Sequence, residues 1–315
     1  MLINGIFYYI KWVVDRCRGT KKAIRKERKP TRYYYSVWLR HLVKLYENDL
    51  KQHPEAVLEL GPGTSLGAGF ASLLTGTNRY YALDSIKYAE DEQDINVFYE
   101  IIEMLKRHEP IPNQNEFPKL FPFLKSYDFP HHIFDKKPLA KSLDKDRIKK
   151  IENAIKNIGG LSQNQDEIDV KYIAPWDHID FSQSNCINVI FSQAVMEHII
   201  NIDFTYMKMY KLLKTGGYMS HAIDYKAHGT HNHWNGHWTI NRLFWKIMMK
   251  TKDYQINRYP FSEHVKAIGK HNFKILSQES IQNQSNISKQ KIRIKNIKFQ
   301  PEDFNISSAH IIARK

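Results

Sequence analysis

The sequence predicts an α/β fold: a doubly wound, mostly parallel seven-stranded sheet with an antiparallel edge hairpin and a largely helical insertion. Three observations predict it. Short apolar runs alternate with stretches of helical periodicity, several of those runs end on a polar or acidic residue, and two late runs have no helical periodicity between them. Regular alternation of strands and helices is typical of doubly wound sheets, whose crossover connections are right-handed.

The elements before the insertion follow from apolar spacing and from their stop signals. Residues 33–50 carry apolar side chains at helical spacing, and a helix packed on the following residues is expected there. A short apolar run that ends at a glycine is typical of a buried strand. The predicted order is a helix at 33–50, a strand at 56–60, a helix at 66–76 and a strand at 79–84.

Residues 87–165 interrupt this alternation with six prolines and with a basic stretch at 141–160 that predicts a helix. Such a segment is typical of an insertion that covers the parent sheet, here as a substrate lid. Alternation then resumes. The predicted elements are strands at 169–174, 187–192 and 218–224, a helix at about 203–214, and a terminal pair of strands at 273–280 and 308–315.

Charge divides the chain of 315 residues unevenly. Of the formal net charge of +14, residues 1–50 supply +8, from twelve Lys/Arg against four Asp/Glu. We therefore predict a basic amphipathic N-terminal helical segment at 1–50 and one domain at 51–315. The apolar run before Lys11 is too short to span a bilayer, so residues 1–32 suit peripheral contact with an anionic membrane or a solvated docked helix.

The loop after the first strand, 57-VLELGPGTSLG-67, predicts what kind of ligand the domain holds. Gly67 is not followed by the Lys-Ser/Thr pair of a phosphate loop, and Leu66 stands where a dinucleotide loop needs its third glycine. Glu59 would face a pyrophosphate unfavourably, whereas Asp84 at the next strand end suits ribose hydroxyls. These residues predict an unphosphorylated nucleoside with positive charge, which S-adenosylmethionine (SAM) fits.

With these segments in order, the sequence resembles the class I SAM-dependent methyltransferases. The matching segments are 57-VLELGPGTSLG-67, 80-YYALDS-85, 189-VIFSQAVMEHI-199 and 212-LLKTGGYM-219. More narrowly, 221-HAIDYKAHGTHNHWNGHW-238 and 257-NRYPFSEHVKAIGKHNFKIL-276 resemble a bacterial subgroup associated with surface-glycan biosynthesis.

The resemblance implies SAM as the cofactor and a set of binding residues. Glu59, Gly61 and Gly63 would line its methionine end, and Asp84 would bind the ribose hydroxyls. The remaining implied contacts are Ser85 and Ile86 beside the adenine, Pro175, Trp176 and Asp177 on the adenine edge, and Ser192 and Gln193 under the sulfonium. The long insertion and the Trp176-Asp177 pair depart from the family's usual pattern.

Candidates for catalysis follow the strand at 218–224. Methyl transfer to a hydroxyl benefits from a general base, and His228, Asp224 and His221 are the predicted catalytic residues. His221 also suits a core position, and Glu197 and His198 are assigned structural roles. His231, His233 and His237 offer a weaker metal hypothesis with Asp224, and no metal is predicted. Trp234 and Trp238 suit either a substrate-facing wall or lid packing.

The predicted function is SAM-dependent O-methylation of a hydroxyl on a sugar, glycan or glycan-linked lipid. Alternatives are an RNA or DNA methyltransferase, or a SAM-binding domain without catalysis. Nucleic acid is the less favoured partner because no N/D-P-P-Y/F motif follows the strand at 187–192. Only Cys17 and Cys186 occur, so we predict a cytoplasmic protein and leave open peripheral contact with the inner face of the membrane.

Overall fold

A computed structural model describes residues 28–89, 91–135, 138–158, 168–176, 185–252, 254–285 and 287–315. Its helices and strands alternate along the chain. In order they are α1 Thr31–Glu47, β1 Ala56–Leu60, α2 Gly67–Leu74, β2 Arg79–Leu83, α3 Asp91–Lys106, α4 His131–Phe134, α5 Leu139–Ser142, α6 Lys145–Lys156, β3 Asp169–Ile173, β4 Ile187–Gln193, α7 Ile202–Leu212, β5 Leu213–Asp224, α8 Arg242–Lys250, α9 Phe261–Lys270, β6 Lys274–Gln282 and β7 Ile306–Arg314.

The strands form one seven-stranded sheet in the order β3-β2-β1-β4-β5-β7-β6. The pairs among β1 to β5 are parallel, whereas β7 is antiparallel to both β5 and β6. The predicted fold class is therefore confirmed, including the terminal antiparallel pair. The order reverses between β1 and β4, and at such a switch point the carboxyl ends of parallel strands open a crevice for ligands.

Two apolar layers cover the sheet because its strands bury side chains on both faces. Helices α1, α2 and α3 pack on one face with Val57, Tyr80 and Phe191, while α7 and α9 pack on the other with Leu58, Ile190 and Ile311. Helix α1 lies deep in the first layer. Its Trp38 is fully buried and donates from Nε1 to the Thr75 hydroxyl at 2.8 Å.

Two local predictions differ from the structure. The basic stretch at 141–160 is not one helix, because the Asp144 carboxylate accepts from the amides of Asp146 and Arg147 and starts α6 anew. Asp144 is thus the N-cap of α6, and a new helix begins after it. The 214-KTGG-217 segment, expected as a turn between helix and strand, lies within the span of β5, where Gly216 has φ 77° and the pairing with β4 shifts register.

Within the described ranges, no helix is both long enough and apolar enough to cross a bilayer. The prediction for residues 1–32 concerns a segment of which residues 1–27 lie outside the described residues. Arg32 lies at the start of α1 and pairs with Glu109 and Glu116 at 2.7 and 2.8 Å.

Candidate functional site

The glycine loop turns tightly at the carboxyl end of β1. Gly61 has φ 65°, and its amide donates to the Leu83 carbonyl at 2.7 Å, which ties the loop to the end of β2. A Cβ at Gly61 would lie 2.5 Å from a Val195 methyl carbon, so no larger residue fits. Gly63 has φ 72°, and no heavy atom lies within 4 Å of the place its Cβ would take. The loop therefore presents bare backbone to open space.

Asp84 lies beside this open backbone. Its carboxylate accepts from the Ser85 amide at 2.7 Å and, over a longer 3.4 Å, from the Gly63 amide. The backbone of Asp84 also joins the next strand end, because its amide donates to Ile173 and its carbonyl accepts from Trp176. The structure thus brings Gly63, Asp84, Ser85 and Trp176 together, while Asp177 lies outside the described residues.

An exposed apolar side chain follows directly. Ile86 is 56% exposed and stands next to the exposed Ser85, at the position the resemblance assigns to the adenine. The Tyr172 hydroxyl fixes this turn by accepting from the Tyr88 amide at 2.9 Å. An apolar side chain left in water beside ribose-type hydrogen-bonding groups suits the face of a purine.

Glu59 lies deeper than the glycine loop. Its side chain is buried, and one carboxylate oxygen accepts from the Tyr80 hydroxyl at 2.5 Å. Burial raises the pKa of Glu59 to about 8, although the Tyr80 bond opposes that rise. A carboxyl group with such a pKa is largely protonated at neutral pH, so Glu59 supports the loop from below through Tyr80. Its predicted contact with the methionine end of SAM stays a prediction.

The predicted residues at the end of β4 connect to a buried polar layer. Ser192 shares a hydrogen bond with His221 Nδ1 at 2.8 Å, and Gln193 Oε1 lies 3.3 Å from His41 Nε2. His41 continues through the Ser220 hydroxyl to His310, over 2.7 and 2.8 Å.

These histidines are neutral because they are buried. Burial lowers the pKa of His41 to about 4 and of His221 to about 3. A neutral imidazole enclosed on all sides is suited to support rather than to proton exchange with a ligand, so the enclosure of His221 favours a core role. Its predicted catalytic role stays a prediction.

Asp224 and His228 lie together at the carboxyl end of β5. His228 Nε2 is 3.9 Å from Asp224 Oδ2, while Lys226 binds the other oxygen of Asp224 through its amide and its ammonium group at 2.9 and 3.1 Å. His228 has φ 45°, a left-handed conformation that non-glycine residues rarely adopt. Its carbonyl accepts from the Tyr254 hydroxyl at 2.8 Å, which holds the strained residue in place. Strain of this kind concentrates at functional sites.

Glu197 belongs to the same region, although the sequence assigned it a structural role. It is 2% exposed, and neither carboxylate oxygen has a hydrogen-bond partner among the described residues. Burial raises the pKa of Glu197 well above its ordinary value, and the neighbouring Asp224 adds to the rise. The Tyr225 hydroxyl and His228 Nε2 also lack partners within the described ranges. Buried polar groups without hydrogen-bond partners are rare, and several of them in one region of a chain are candidates for binding a polar ligand.

The histidine and tryptophan stretch packs against the rest of the chain. His231 and His233 stack at 5.5 Å between ring centroids, whereas His237 is buried against Trp238 and Trp245. Among the described residues, no group of three or more His, Cys, Asp or Glu is arranged to hold a metal ion. Trp238 is fully buried against Phe299, so it packs inside the protein and does not form an exposed wall.

Ala194 links the two halves of the site. It has φ 54°, and its amide donates to Ala222 on β5 at 2.8 Å. The next residue, Val195, fills the space beside Gly61. The glycine loop and Asp84 therefore lie on one side of the switch point, and Glu197, Asp224 and His228 lie on the other.

No protein-family model matches the sequence, and no curated protein matches it. Several solved structures are similar to it in three dimensions. A phosphoethanolamine N-methyltransferase 2 from Haemonchus contortus, in complex with SAM, is 16% identical with a TM-score of 0.43, and the match covers 88% of this chain and 52% of that one.

Two others are similar over most of their length. A SAM-dependent methyltransferase from Mesorhizobium loti is 10% identical over 89% of this chain and 98% of that chain, with a TM-score of 0.40. A proposed methyltransferase from Bacillus halodurans is 13% identical over 87% of this chain and 98% of that chain, with a TM-score of 0.41. All three TM-scores lie below 0.5, so the fold assignment rests on the strand order described above.

Proposed function

We propose that this chain is a SAM-dependent methyltransferase that methylates a hydroxyl on a sugar, a glycan or a glycan-linked lipid. One observation carries the proposal: bare backbone at Gly63 faces open space beside the Asp84 carboxylate, next to the exposed Ile86. This set offers close approach to the backbone, an acceptor to ribose hydroxyls and an apolar face to a base.

The carboxyl groups near the glycine loop favour SAM over a dinucleotide as the ligand. Glu59, Asp84 and Asp94 lie near one another, and their mutual repulsion contributes to the raised pKa of Glu59. A pyrophosphate would bring negative charge against the Asp84 carboxylate, whereas a ribose would donate hydrogen bonds to it and a sulfonium or ammonium group would not be repelled. When bound, SAM supplies a methyl group that its positive sulfur already activates for transfer.

The chain's own residues have the remaining roles. Asp84 orients the nucleoside, while Gly61 and Gly63 allow close approach of the backbone. His228, with Asp224 beside it, takes the proton from the acceptor hydroxyl, as a general base should. Glu197, whose carboxyl oxygens have no hydrogen-bond partner among the described residues, binds a second hydroxyl of a polyhydroxylated acceptor. Holding the acceptor oxygen and the methyl group in line is the main contribution an enzyme makes to such a displacement.

The test is calorimetric titration with SAM, its demethylated product and NAD, on the native chain and on Asp84→Ala. We expect both SAM and the product to bind, NAD to fail, and Asp84→Ala to weaken SAM binding at least about tenfold, because hydrogen bonds to a charged group are lost. Asp128→Ala, an exposed carboxylate on the insertion, is the matched control.

Thermal unfolding of both variants shows whether the fold is retained. Failure of SAM to bind the native chain, or unchanged affinity in a folded Asp84→Ala, would contradict the proposal. Methyl transfer from labelled SAM to glycan precursors, glycan-linked lipids and RNA then separates the preferred acceptor class from nucleic acid. Binding without transfer to any of them would favour the SAM-binding domain without catalysis.

A further inference from the structure

Helix α8 exposes apolar side chains to solvent. Leu243, Phe244 and Ile247 are 67%, 50% and 42% exposed, while Trp245 and Met249 on the opposite face are buried. Leu243 and Ile247 are four residues apart and share one face of the helix. Large apolar side chains grouped on a surface mark an interaction site more often than scattered ones do.

Cations border this apolar face. Arg242, Lys246 and Lys250 are exposed and follow one another at intervals of four, so they form a row beside Leu243 and Ile247. None of the three has an ion pair with any residue the structure describes. The outer face of α8 is therefore apolar and positively charged at once.

A second basic segment lies next to α8. Residues 281–300 contain five Lys or Arg and no Asp or Glu. All five are exposed, and within the described ranges none has an ion-pair partner. Three isoleucines alternate with them, and the segment borders a cleft of about 500 Å³. The cations are Lys289, Lys291, Arg293, Lys295 and Lys298.

Direct contacts hold the two elements to the body of the protein. The Arg293 amide donates to the Trp238 carbonyl at 2.9 Å, and Trp238 is fully buried four residues before α8 begins. On the other side of α8, the Arg258 guanidinium lies 4.6 Å from the Trp245 ring centroid and donates to Ile240 at 2.7 Å. We call Leu243, Phe244 and Ile247 together with the eight cations of these two elements the basic–apolar surface.

Contacts connect α8 to the segment that carries Glu197. Asn257, next to Arg258, donates from its amide to the Glu197 carbonyl at 2.8 Å and from its side chain to Met196 and Ile199. Ile200, which follows directly, is 66% exposed. Asn257 and Arg258 thus join the segment of Glu197 to Trp245 of α8.

We propose that the basic–apolar surface docks the protein on a phospholipid bilayer that contains anionic lipids. Its cations complement anionic headgroups, and its apolar side chains gain by entering the boundary between headgroups and acyl chains. A nucleic acid would pair with the cations but leave Leu243, Phe244 and Ile247 in water. A second copy would bring two strongly basic faces together, which like-charge repulsion opposes.

The test is flotation of the full chain with phosphatidylglycerol–phosphatidylcholine vesicles and with phosphatidylcholine vesicles. Two variants change the surface: Leu243→Ser with Phe244→Ser and Ile247→Ser, and Lys289→Gln with Lys291→Gln and Lys295→Gln. We expect the native chain to float with the anionic vesicles only, and each triple variant to lower its partition coefficient at least about tenfold. Residues 1–32 are unchanged in every variant, so any binding they contribute stays constant.

The matched control is Lys145→Gln with Lys149→Gln and Lys150→Gln, three exposed cations on or beside the outer turns of α6. It removes the same charge and should float like the native chain. Equal loss in the control, or native binding in both surface variants, would overturn the proposal. So would tight binding of single-stranded RNA through Lys289, Lys291 and Lys295 without vesicle binding. Sedimentation showing a dimer that the serine variant dissociates, with flotation unchanged, would overturn it as well.

Discussion

At the scale of single residues, His228 combines an unusual backbone conformation with a side chain suited to accept a proton. A left-handed φ of 45° disfavours most side chains, yet the Tyr254 bond and the neighbouring Asp224 hold an imidazole there. Asn tolerates this conformation well but has no ring nitrogen that could take a proton. Substitution by Asn therefore separates the chemistry of the imidazole from the shape of the loop.

We expect His228→Asn to lower kcat by about a hundredfold or more, the usual effect of removing a general base, while the SAM dissociation constant changes less than about twofold. Initial rates with the acceptor found by the methyl-transfer screen, together with calorimetry, measure both quantities. His233→Asn, an exposed histidine in the same stretch, should leave both unchanged. A folded His228→Asn enzyme with a native rate would show that another group takes the proton.

Single residues also show the limit of prediction from sequence. The contacts of Gly61, Gly63 and Asp84 follow from local patterns, since a strand that ends on glycine or on an acid is visible in the chain itself. The support of Glu59 by Tyr80 is less visible, because the two residues belong to neighbouring strands. Glu197 was assigned a structural role from the sequence, and its burial without hydrogen-bond partners was not predicted because it depends on contacts between distant segments, such as that of Asn257 with the Glu197 carbonyl.

At the scale of elements, the packing of α2 on β2 depends on a missing side chain. A Cβ at Gly69 would lie 1.9 Å from Cζ of Tyr80, a fully buried ring whose hydroxyl binds Glu59. The close approach of α2 to β2 thus holds the Tyr80 ring in place, with its hydroxyl on Glu59.

We expect Gly69→Ala to lower the free energy of unfolding by about 1–3 kcal/mol or more, because overpacking forces the ring and helix apart. Gly269→Ala in α9 is the control: no atom lies within 4 Å of its Cβ position, so alanine should stabilise the helix by up to about 1 kcal/mol. Urea unfolding measures both. Equal effects of the two substitutions would contradict the packing described here.

The bounds of the elements were largely predictable. Apolar runs that stop at glycine or aspartate located the strands closely, and the two terminal runs were confirmed as an antiparallel pair. The division of α5 from α6 was not predicted, because a capping aspartate inside a basic stretch looks like an ordinary helical residue. The boundary at residue 50 between a basic segment and the domain stays a prediction.

At the scale of the whole molecule, buried titratable groups of opposite kind set the dependence of stability on pH. Burial lowers the pKa of five histidines from 6.5: to about 4 for His41, to about 3 for His221 and His264, and well below the ordinary value for His237 and His310. Burial also raises the pKa of Glu59 from 4.5 to about 8, and that of Glu197 in the same direction.

The signs of the two effects oppose each other. Below pH 6.5 these histidines bind protons in the unfolded chain but not in the folded protein, where their pKa is lower. Stability therefore falls as the pH falls. Above pH 4.5 the folded glutamates keep protons that the unfolded chain releases, so stability falls as the pH rises towards 8. On the acid side, the effect of five histidines on stability outweighs that of two glutamates. Above pH 6.5 the unfolded histidines lose their protons, and the effect of the glutamates comes to dominate.

We therefore expect maximum stability near pH 6.5, with stability falling towards both acid and alkaline pH. Urea midpoints at about pH 5, 6.5 and 8 measure both slopes. Glu59→Gln keeps an acceptor for Tyr80 and should reduce the alkaline slope by up to about 1.4 kcal/mol per pH unit. Stability that rises steadily from pH 5 to pH 8, or an unchanged slope in the variant, would contradict this account.

The overall architecture was predictable because it depends on the alternation of elements, which is a property of the chain as written. The buried histidine layer was not, because His41 and Ser220 are separated by 179 positions. Nothing in the local sequence distinguishes a helical histidine that faces solvent from one that faces the sheet.

The burial of α1 limits how the chain can be shortened. A fragment that begins at β1 would lose Trp38 from the core, and Gln193 and Ser220 would lose the imidazole that joins them. Crystallisation or expression trials should therefore keep every residue from Thr31 onward. A cut inside this helix would remove side chains that fill the first apolar layer and the imidazole that contacts Gln193 at the end of β4.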